Sequence, residues 1–384
     1  MPLPVFHRSE FANELCKRIL EPDMLSSRDG LFLTGIRRIG KTTFLQLDLV
    51  PCLEEKDAVV IYVDLWANHE SRSPTKAVLG SIARTLKSLS SPSKLKELKV
   101  DLKVLSFTFE AEDIGLENGV SIADALTELI EKIDRNIVLI IDEVQETLRT
   151  ESGRNLLFAL KAARDAVNLR RNNPSGTYLM IVGTGSHRSF VSAMASRSSL
   201  PFYGADRVDF PMLGADFIDW LIGQLPNKKN IPGKDALRKG FAMLGARPKV
   251  FSDVLKQFAS YTGSEIDPAF LAVCANQART DADEFLRPLR EADRLTRVIF
   301  TEIAKAGSDG CRNLFSSAFL KEAAKAAGRS KPLRPSAIQA KLSAMQKKDW
   351  IFPVGYGSYA VSDPQAQAVW LANLEDYLDG DDDV

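Results

Sequence analysis

The octet GIRRIGKT at positions 35–42 constrains this chain more than any other feature. It satisfies the pattern G-x-x-x-x-G-K-[ST] at every fixed position. Gly35 and Gly40 give a loop the backbone freedom to turn its N–H groups inward around an anion. Ile36, Arg37, Arg38 and Ile39 complete the loop, and Lys41, Thr42 and Thr43 open a helix whose positive end faces the same point. Such a loop holds a nucleoside triphosphate, with the lysine on the β- and γ-phosphates and the threonine hydroxyl on magnesium. The context agrees: GLFLTG (30–35) reads as a strand entering the loop and 41–50 as a helix leaving it.

A phosphate loop needs a carboxylate for the metal and a base for water, and NIVLIIDEVQ (136–145) offers both at the end of an apolar strand. Asp142 is the expected magnesium ligand and Glu143 the residue that polarises the attacking water. ATP and Mg2+ are therefore the expected cofactors. A further strand, YLMIVG (178–183), runs into GTGSHR (183–188). That segment is neither G-x-S-x-G nor G-x-G-x-x-G, because Arg188 stands where a glycine is needed, so a hydrolase serine or a dinucleotide site is excluded there. Thr184 and Ser186 are candidate sensors of the γ-phosphate; the competing reading is a plain polar turn.

VVIYVDL (59–65) and RVDF (207–210) supply two more candidate strands, and helical patterns lie at about 41–50, 74–90, 121–134 and 152–171. Runs this apolar suit strands buried on both faces of a parallel sheet, so the alternation implies an α/β sandwich. KVDLKVLSFTFEAED (99–113) alternates with period two and reads as an inserted β-hairpin. After Phe210 the strand signal stops. Residues 214–260 read as helices broken at Pro226, Pro232 and Pro248, and 268–306 as helical with a bend at Pro288. WIFPVGYGSYAVS (350–362) reads as a hairpin turning at Gly355 and Gly357, and DGDDDV (379–384) as a solvated acidic tail. The expected division is a nucleotide-binding core over 1–212, a helical lid over 213–282, a winged helix over 283–375 and the tail over 376–384.

Fifty basic residues balance fifty acidic ones, so only the distribution of charge is informative. Between Arg312 and Lys348 there are nine basic residues and one acid, Glu322, a net of +8. The expected order there is helix 317–327, a turn, helix 335–348 and the 350–362 hairpin, which is that of a winged helix-turn-helix. Ala337, Ile338, Leu342 and Met345 mark its buried stripe and leave Ser336, Gln339, Lys341 and Lys348 outward. Lys341, Lys347 and Lys348 are the candidate contacts to DNA phosphates. A winged helix also serves as a protein-docking module, and that reading stays open. Four cysteines and three histidines are scattered without paired spacing, which argues against a zinc site or a disulfide framework and fits a reducing, cytoplasmic setting. No stretch approaches 18 consecutive apolar residues, so no membrane partner is expected.

FHRSEF near the start, GIRRIGKTT, LIIDEVQ and LPFYGADRVDFPML together resemble the archaeal-type ATPase family, a branch of the AAA+ and STAND nucleoside triphosphatases. GARP (245–248) and YAVSDP (359–364) extend the likeness over most of the chain. The resemblance implies an AAA+/ASCE P-loop core, a helical lid and a C-terminal winged helix. It also implies that Phe6 and Arg8 lie near the adenine and that Arg247 sits at a sensor position of the lid. Ala205 stands where the family pattern has arginine, with Arg207 two residues on. Two functional classes follow: an ATP-dependent, DNA-associated ATPase, or a STAND-like switch acting through a protein partner or nucleotide-dependent homo-oligomers, for example in stress or phage defence.

Overall fold

The apolar runs form one five-stranded parallel sheet: β1 (Leu31–Thr34), β2 (Val59–Asp64), β3 (Ile137–Asp142), β4 (Leu179–Gly185) and β5 (Asp206–Asp209), in the order β2-β3-β4-β1-β5. The computed structural model describes residues 4–21, 28–66, 73–89, 121–169, 176–186, 191, 194–195, 200–225, 231–258, 261, 263–307, 310–355 and 357–379. The hairpin expected at 99–113 and the last acidic residues, 380–384, lie outside them. The central strands β1, β3 and β4 are buried at every residue, as continuous apolar runs require. The edge strands differ. β2 alternates buried and half-buried residues, and β5 alternates half-buried and exposed ones, because each has a neighbour on one side only. Arg207 accordingly projects from an exposed edge.

Alternation along each strand sends side chains to two helical layers. Phe32, Ile61, Leu139 and Ile181 pack on one face with α4 (Pro74–Leu89), α5 (Ile122–Ile133) and α6 (Glu151–Asn168). Leu31, Leu33, Ile140 and Val182 pack on the other with α1 (Ser9–Leu20), α2 (Lys41–Phe44) and α3 (Val50–Glu55). Two of these helices start on side-chain caps: Ser121 Oγ accepts from Asp124 N at 3.0 Å, and Thr150 Oγ1 from Gly153 N at 3.1 Å. Between α2 and α3 the chain makes a π-helical turn, Leu45–Leu49. Pro51 comes two residues after it and has no N–H to donate, and the wider turn carries the helix past that lost bond.

After β5 the chain is helical. α7 (Ala215–Gln224), α8 (Lys234–Met243) and α9 (Pro248–Gln257) surround an aromatic core in which Phe241 meets Phe251 at 4.9 Å between ring centroids. The long helix α10 (Ile266–Arg290) runs straight through the 282/283 boundary. Its first half gives Phe270 and Cys274 to that core, and its second half gives Ala282, Leu286 and Leu289 to the next. Pro288, where the sequence predicts a bend, lies within the last turn of α10 and does not end it; a short connection at 291–293 leads to α11 (Arg294–Lys305). Then come α12 (Ser317–Ala326), α13 (Pro335–Lys347) and the antiparallel hairpin β6 (Ile351–Gly355) and β7 (Ser358–Val361), the element order of a winged helix. α14 (Pro364–Ala372) packs Trp370 against Phe300 at 5.2 Å. No helix among the described residues is long and apolar enough to cross a membrane.

Arg247 bolts these two helical parts together. Consecutive left-handed residues, Gly245 (φ +67°) and Ala246 (φ +50°), turn the chain so that Arg247 points inward, where it is 7% exposed. Its guanidinium reaches Asp281 on α10 at 3.5 Å and Asp363 at 2.7 Å. Asp363 uses its other oxygen to cap α14 through Gln365 N and Ala366 N. The family resemblance puts Arg247 at the nucleotide; here its buried guanidinium is paired with two half-buried acids. Removing the arginine leaves those acids without their cation, at a cost below the roughly 3–5 kcal/mol of breaking a fully buried pair. Arg247→Ala is expected to lower the denaturant midpoint of the helical part accordingly, and an unchanged midpoint would show that the triad carries no stability.

Candidate nucleotide-binding and hydrolysis site

The loop after β1 is anchored by its apolar positions and presents its polar ones. Ile36 and Ile39 are buried in the core beside Phe44 and Phe210, while Arg37 and Arg38 are not. Gly40 has φ +92° and no neighbour near its missing side chain, so it is required for backbone angle alone. Gly35 is required for space: a Cβ there would meet Ile39 Cδ1 at 3.0 Å and Phe210 Cβ at 3.1 Å. The sequence assigns both glycines to backbone freedom, and only Gly40 uses it. Lys41 is 7% exposed, and its Nζ donates to Gly35 O at 2.9 Å and Ile36 O at 2.7 Å. The ammonium thus lies inside the curve of the loop, where a bound phosphate would meet it.

The acidic strand end stands opposite. Asp142 is 1% exposed and receives four donors. Oδ2 accepts from Thr42 Oγ1 at 2.7 Å and Tyr62 O–H at 3.1 Å; Oδ1 accepts from Glu143 N at 3.1 Å and from Thr184 Oγ1. Burial first, then the Asp142 carboxylate, pushes the Tyr62 phenol above its ordinary range. A threonine hydroxyl in contact with a carboxylate is a pair of hard oxygens that fits magnesium, and Thr42 and Asp142 are the residues that would hold it. Glu143 has left-handed backbone (φ +58°) and turns its carboxylate toward β4. Its Oε2 accepts from Ser186 Oγ at 2.9 Å, from Ser186 N at 3.3 Å and from Gln145 Nε2. The two sensor candidates therefore orient the two acids: Thr184 holds Asp142 and Ser186 holds Glu143.

A cleft of about 1080 Å³ opens between the loop and the helical part. Arg37, Arg38, Ile39, Gly40, Lys41, Thr42, Thr43 and Glu143 line its core side, and Phe6, Phe217, Trp220 and Val250 form an apolar end able to take a nucleobase. Phe6 meets Phe217 and Trp220 edge-on, each at 5.5 Å. Arg8 also borders the cleft, but its guanidinium is committed to Pro211 O and Ile39 O and lies 4.3 Å above the Phe210 ring. Burial draws that guanidinium down to about 10, against the pull of Asp216 and Asp48. Arg8 therefore ties the loop to the start of the helical part. Arg247 does not line this cleft. It lines a second one of about 440 Å³ on the other side of the loop, with Ile36, Arg37, Arg38, Ser186, Lys348 and Asp363.

Sequence reasoning missed Tyr62, Gln145 and Asp48. Tyr62 carried one signal, a lone hydroxyl in an apolar strand. Asp48 is a buried acid that accepts from Arg8 N at 3.1 Å and contacts His7 Nδ1 at 2.6 Å, fastening the opening segment to the π-helical turn; no local pattern marks it. Among the candidate DNA contacts, Lys341 is paired with Asp293, Lys348 is exposed with Nζ 4.5 Å over the Trp350 ring, and Lys347 is exposed. Ile338, Leu342 and Met345 are fully buried, as their spacing requires. Other cations of the basic stretch lie one turn earlier. Arg329, Lys331 and Arg334 line a groove of about 620 Å³ between α12 and α13, beside Ser336, and all three are exposed.

No family model and no curated protein matches the sequence. Solved structures do match. The Walker-type ATPase of Pyrococcus abyssi superposes with a TM-score of 0.57 at 19% identity, covering 95% of each chain. The Aeropyrum pernix ORC2 protein in its ADP form superposes with a TM-score of 0.55 at 14% identity, covering 98% of this chain and 95% of that one. Its ADPNP–ADP complexes give 0.54 at 13% identity over the same shares. At such identities the likeness concerns architecture, and it extends from the first strand to the C-terminal helices. With β4 set between the loop strand and the acidic strand, this chain has the AAA+ P-loop fold that those solved structures share.

Proposed function

We propose that the chain binds and hydrolyses ATP with magnesium, and that its nucleotide state controls a C-terminal winged helix that engages duplex DNA. The observation that carries the first half is the meeting of Lys41, Thr42, Asp142 and Glu143 at one end of the sheet, facing a cleft with an apolar pocket. Lys41 would leave the loop carbonyls for the β- and γ-phosphates. Magnesium, when bound, supplies charge neutralisation at those phosphates. The donors on Glu143 converge on Oε2, which leaves Oε1 to accept the proton of the attacking water. The fold neighbour from A. pernix was solved in ADPNP–ADP complexes, which supports a nucleotide in this cleft.

Coupling to the winged helix is supported by the second cleft. Arg37 and Arg38 of the loop share it with Lys348, Asp349 and Trp350, at the junction of α13 and β6. A loop that tightens on phosphate shifts one wall of that cleft. The alternative, a switch acting through a protein partner, uses the same core and differs only in what the C-terminal surface touches.

Two experiments test the proposal. Lys41→Ala should abolish ATP binding, while Glu143→Gln should keep binding and reduce turnover by about 10²–10⁴-fold, the usual worth of a general base. Wild-type hydrolysis by Glu143→Gln would remove Glu143 from the mechanism. For DNA, anisotropy of one labelled duplex across salt concentrations should give steep salt dependence. Replacing Arg329, Lys331 and Arg334 together with Ala should make the slope shallower by roughly 0.9 for each phosphate no longer neutralised. ATP turnover without DNA should survive that change. Absence of salt-sensitive binding in any nucleotide state would favour the protein-partner switch.

A further inference from the structure

Gln145 lies two residues past the acidic pair and is 2% exposed. A buried amide has to be accounted for, because an unpaired polar group in the interior costs free energy. Its Nε2 donates to Glu143 Oε2. A carboxylate can only accept, so this contact fixes which way the amide faces. Oε1 is then directed to the opposite side, against β4, where it has no hydrogen-bond partner. There the amide abuts Gly185: a Cβ at that position would collide with Gln145 Oε1 and with Val191 Cγ2. The GTG triplet of residues 183–185 thus acquires a specific meaning. Its second glycine leaves the space that the Gln145 amide and Val191 occupy.

We infer that Gln145 is a positioning residue for the general base: it holds the Glu143 carboxylate by Oε2, so that Oε1 is presented to water, and Gly185 is required because it admits Gln145. The inference rests on the reading of Glu143 as the base. Two elements converge on one oxygen, Ser186 from the end of β4 and Gln145 from the turn after β3. Ser186 borders the cleft shared with the winged helix, whereas Gln145 is enclosed in the core, so Gln145 is the fixed member of the pair. A carboxylate with one oxygen held on two sides loses rotational freedom about its last torsion, and orientation of this kind determines how often the free oxygen meets the proton it must take. The Gln145 amide does not touch the reacting atoms.

The test uses the full chain and three variants. Gln145→Met preserves volume and removes the donor; it should lower kcat about tenfold while the Kd for ATP, measured by titration, and the Tm stay at wild-type values. Gly185→Ala should reach the same phenotype from the other side by displacing the amide. Gln145→Glu, which keeps the shape and removes the donor, should lower kcat in the same way. A role in packing alone would leave Gln145→Met active, and wild-type kcat in Gln145→Met overturns the inference. Failure of the underlying reading is separate. If Glu143→Gln hydrolyses ATP normally, the base assignment falls and this inference falls with it; if Glu143→Gln is impaired and Gln145→Met is not, only the positioning role is lost.

Discussion

One buried carboxylate organises the centre of this molecule. Asp142 accepts from Thr42 on the loop helix, Tyr62 on β2, Thr184 on β4 and the backbone of Glu143. Three segments distant in sequence are thereby tied to one side chain at the ends of the strands. An ionised group this deep is tolerated only when its oxygens are fully partnered, since each hydrogen bond to a charge contributes about 1.5–3 kcal/mol and an unmade one costs at least as much. The strand order makes the arrangement possible. β4 lies between β1 and β3, so its Thr184 reaches Asp142 from the neighbouring strand while Thr42 arrives from the loop helix. The same geometry that stabilises the acid also places a hydroxyl and a carboxylate where a metal would need them.

From that centre outward, stability and coupling are carried by shared elements. α10 belongs to two hydrophobic cores at once, and Arg247 pairs with acids of both helical parts. The two helical parts are therefore joined by packing as well as by chain connectivity. On the opposite side, Arg8 fastens the loop carbonyl of Ile39 to Pro211, where the helical part begins, and Phe6 lies edge-on against the stacked pair Phe217 and Trp220. The opening segment, which has no regular structure at 4–8, thus joins the loop to the helical part across the mouth of the cleft.

Much of this was legible in the residues. The octet, the apolar run ending in Asp-Glu, the helix breaks at proline and the buried stripe of Ile338, Leu342 and Met345 all follow from short-range rules. Each depends on local geometry or on a single period. What could not be read were choices made by tertiary neighbours. Arg247 sits in a GARP segment that resembles a nucleotide sensor, yet it is captured by Asp281 and by Asp363, which is 116 positions away. Lys341 and Lys348 have the spacing of outward residues but find an acid and an indole nearby. Gly35 and Gly40 look equivalent in the motif, and only the packed structure separates the glycine needed for angle from the one needed for room.

The loop itself ends as a partition between two clefts. Arg37 and Arg38 border both the larger cleft, with Lys41 and Glu143, and the smaller one, with Asp281, Glu284, Asp349 and Asp363. Arg37 also stacks at 5.6 Å over Trp66, which lines the larger cleft. Guanidinium groups placed so face acids of the helical part on one side and the phosphate-binding curve on the other. The octet's two arginines, free choices within the loop pattern, are thereby the loop side chains that both clefts share.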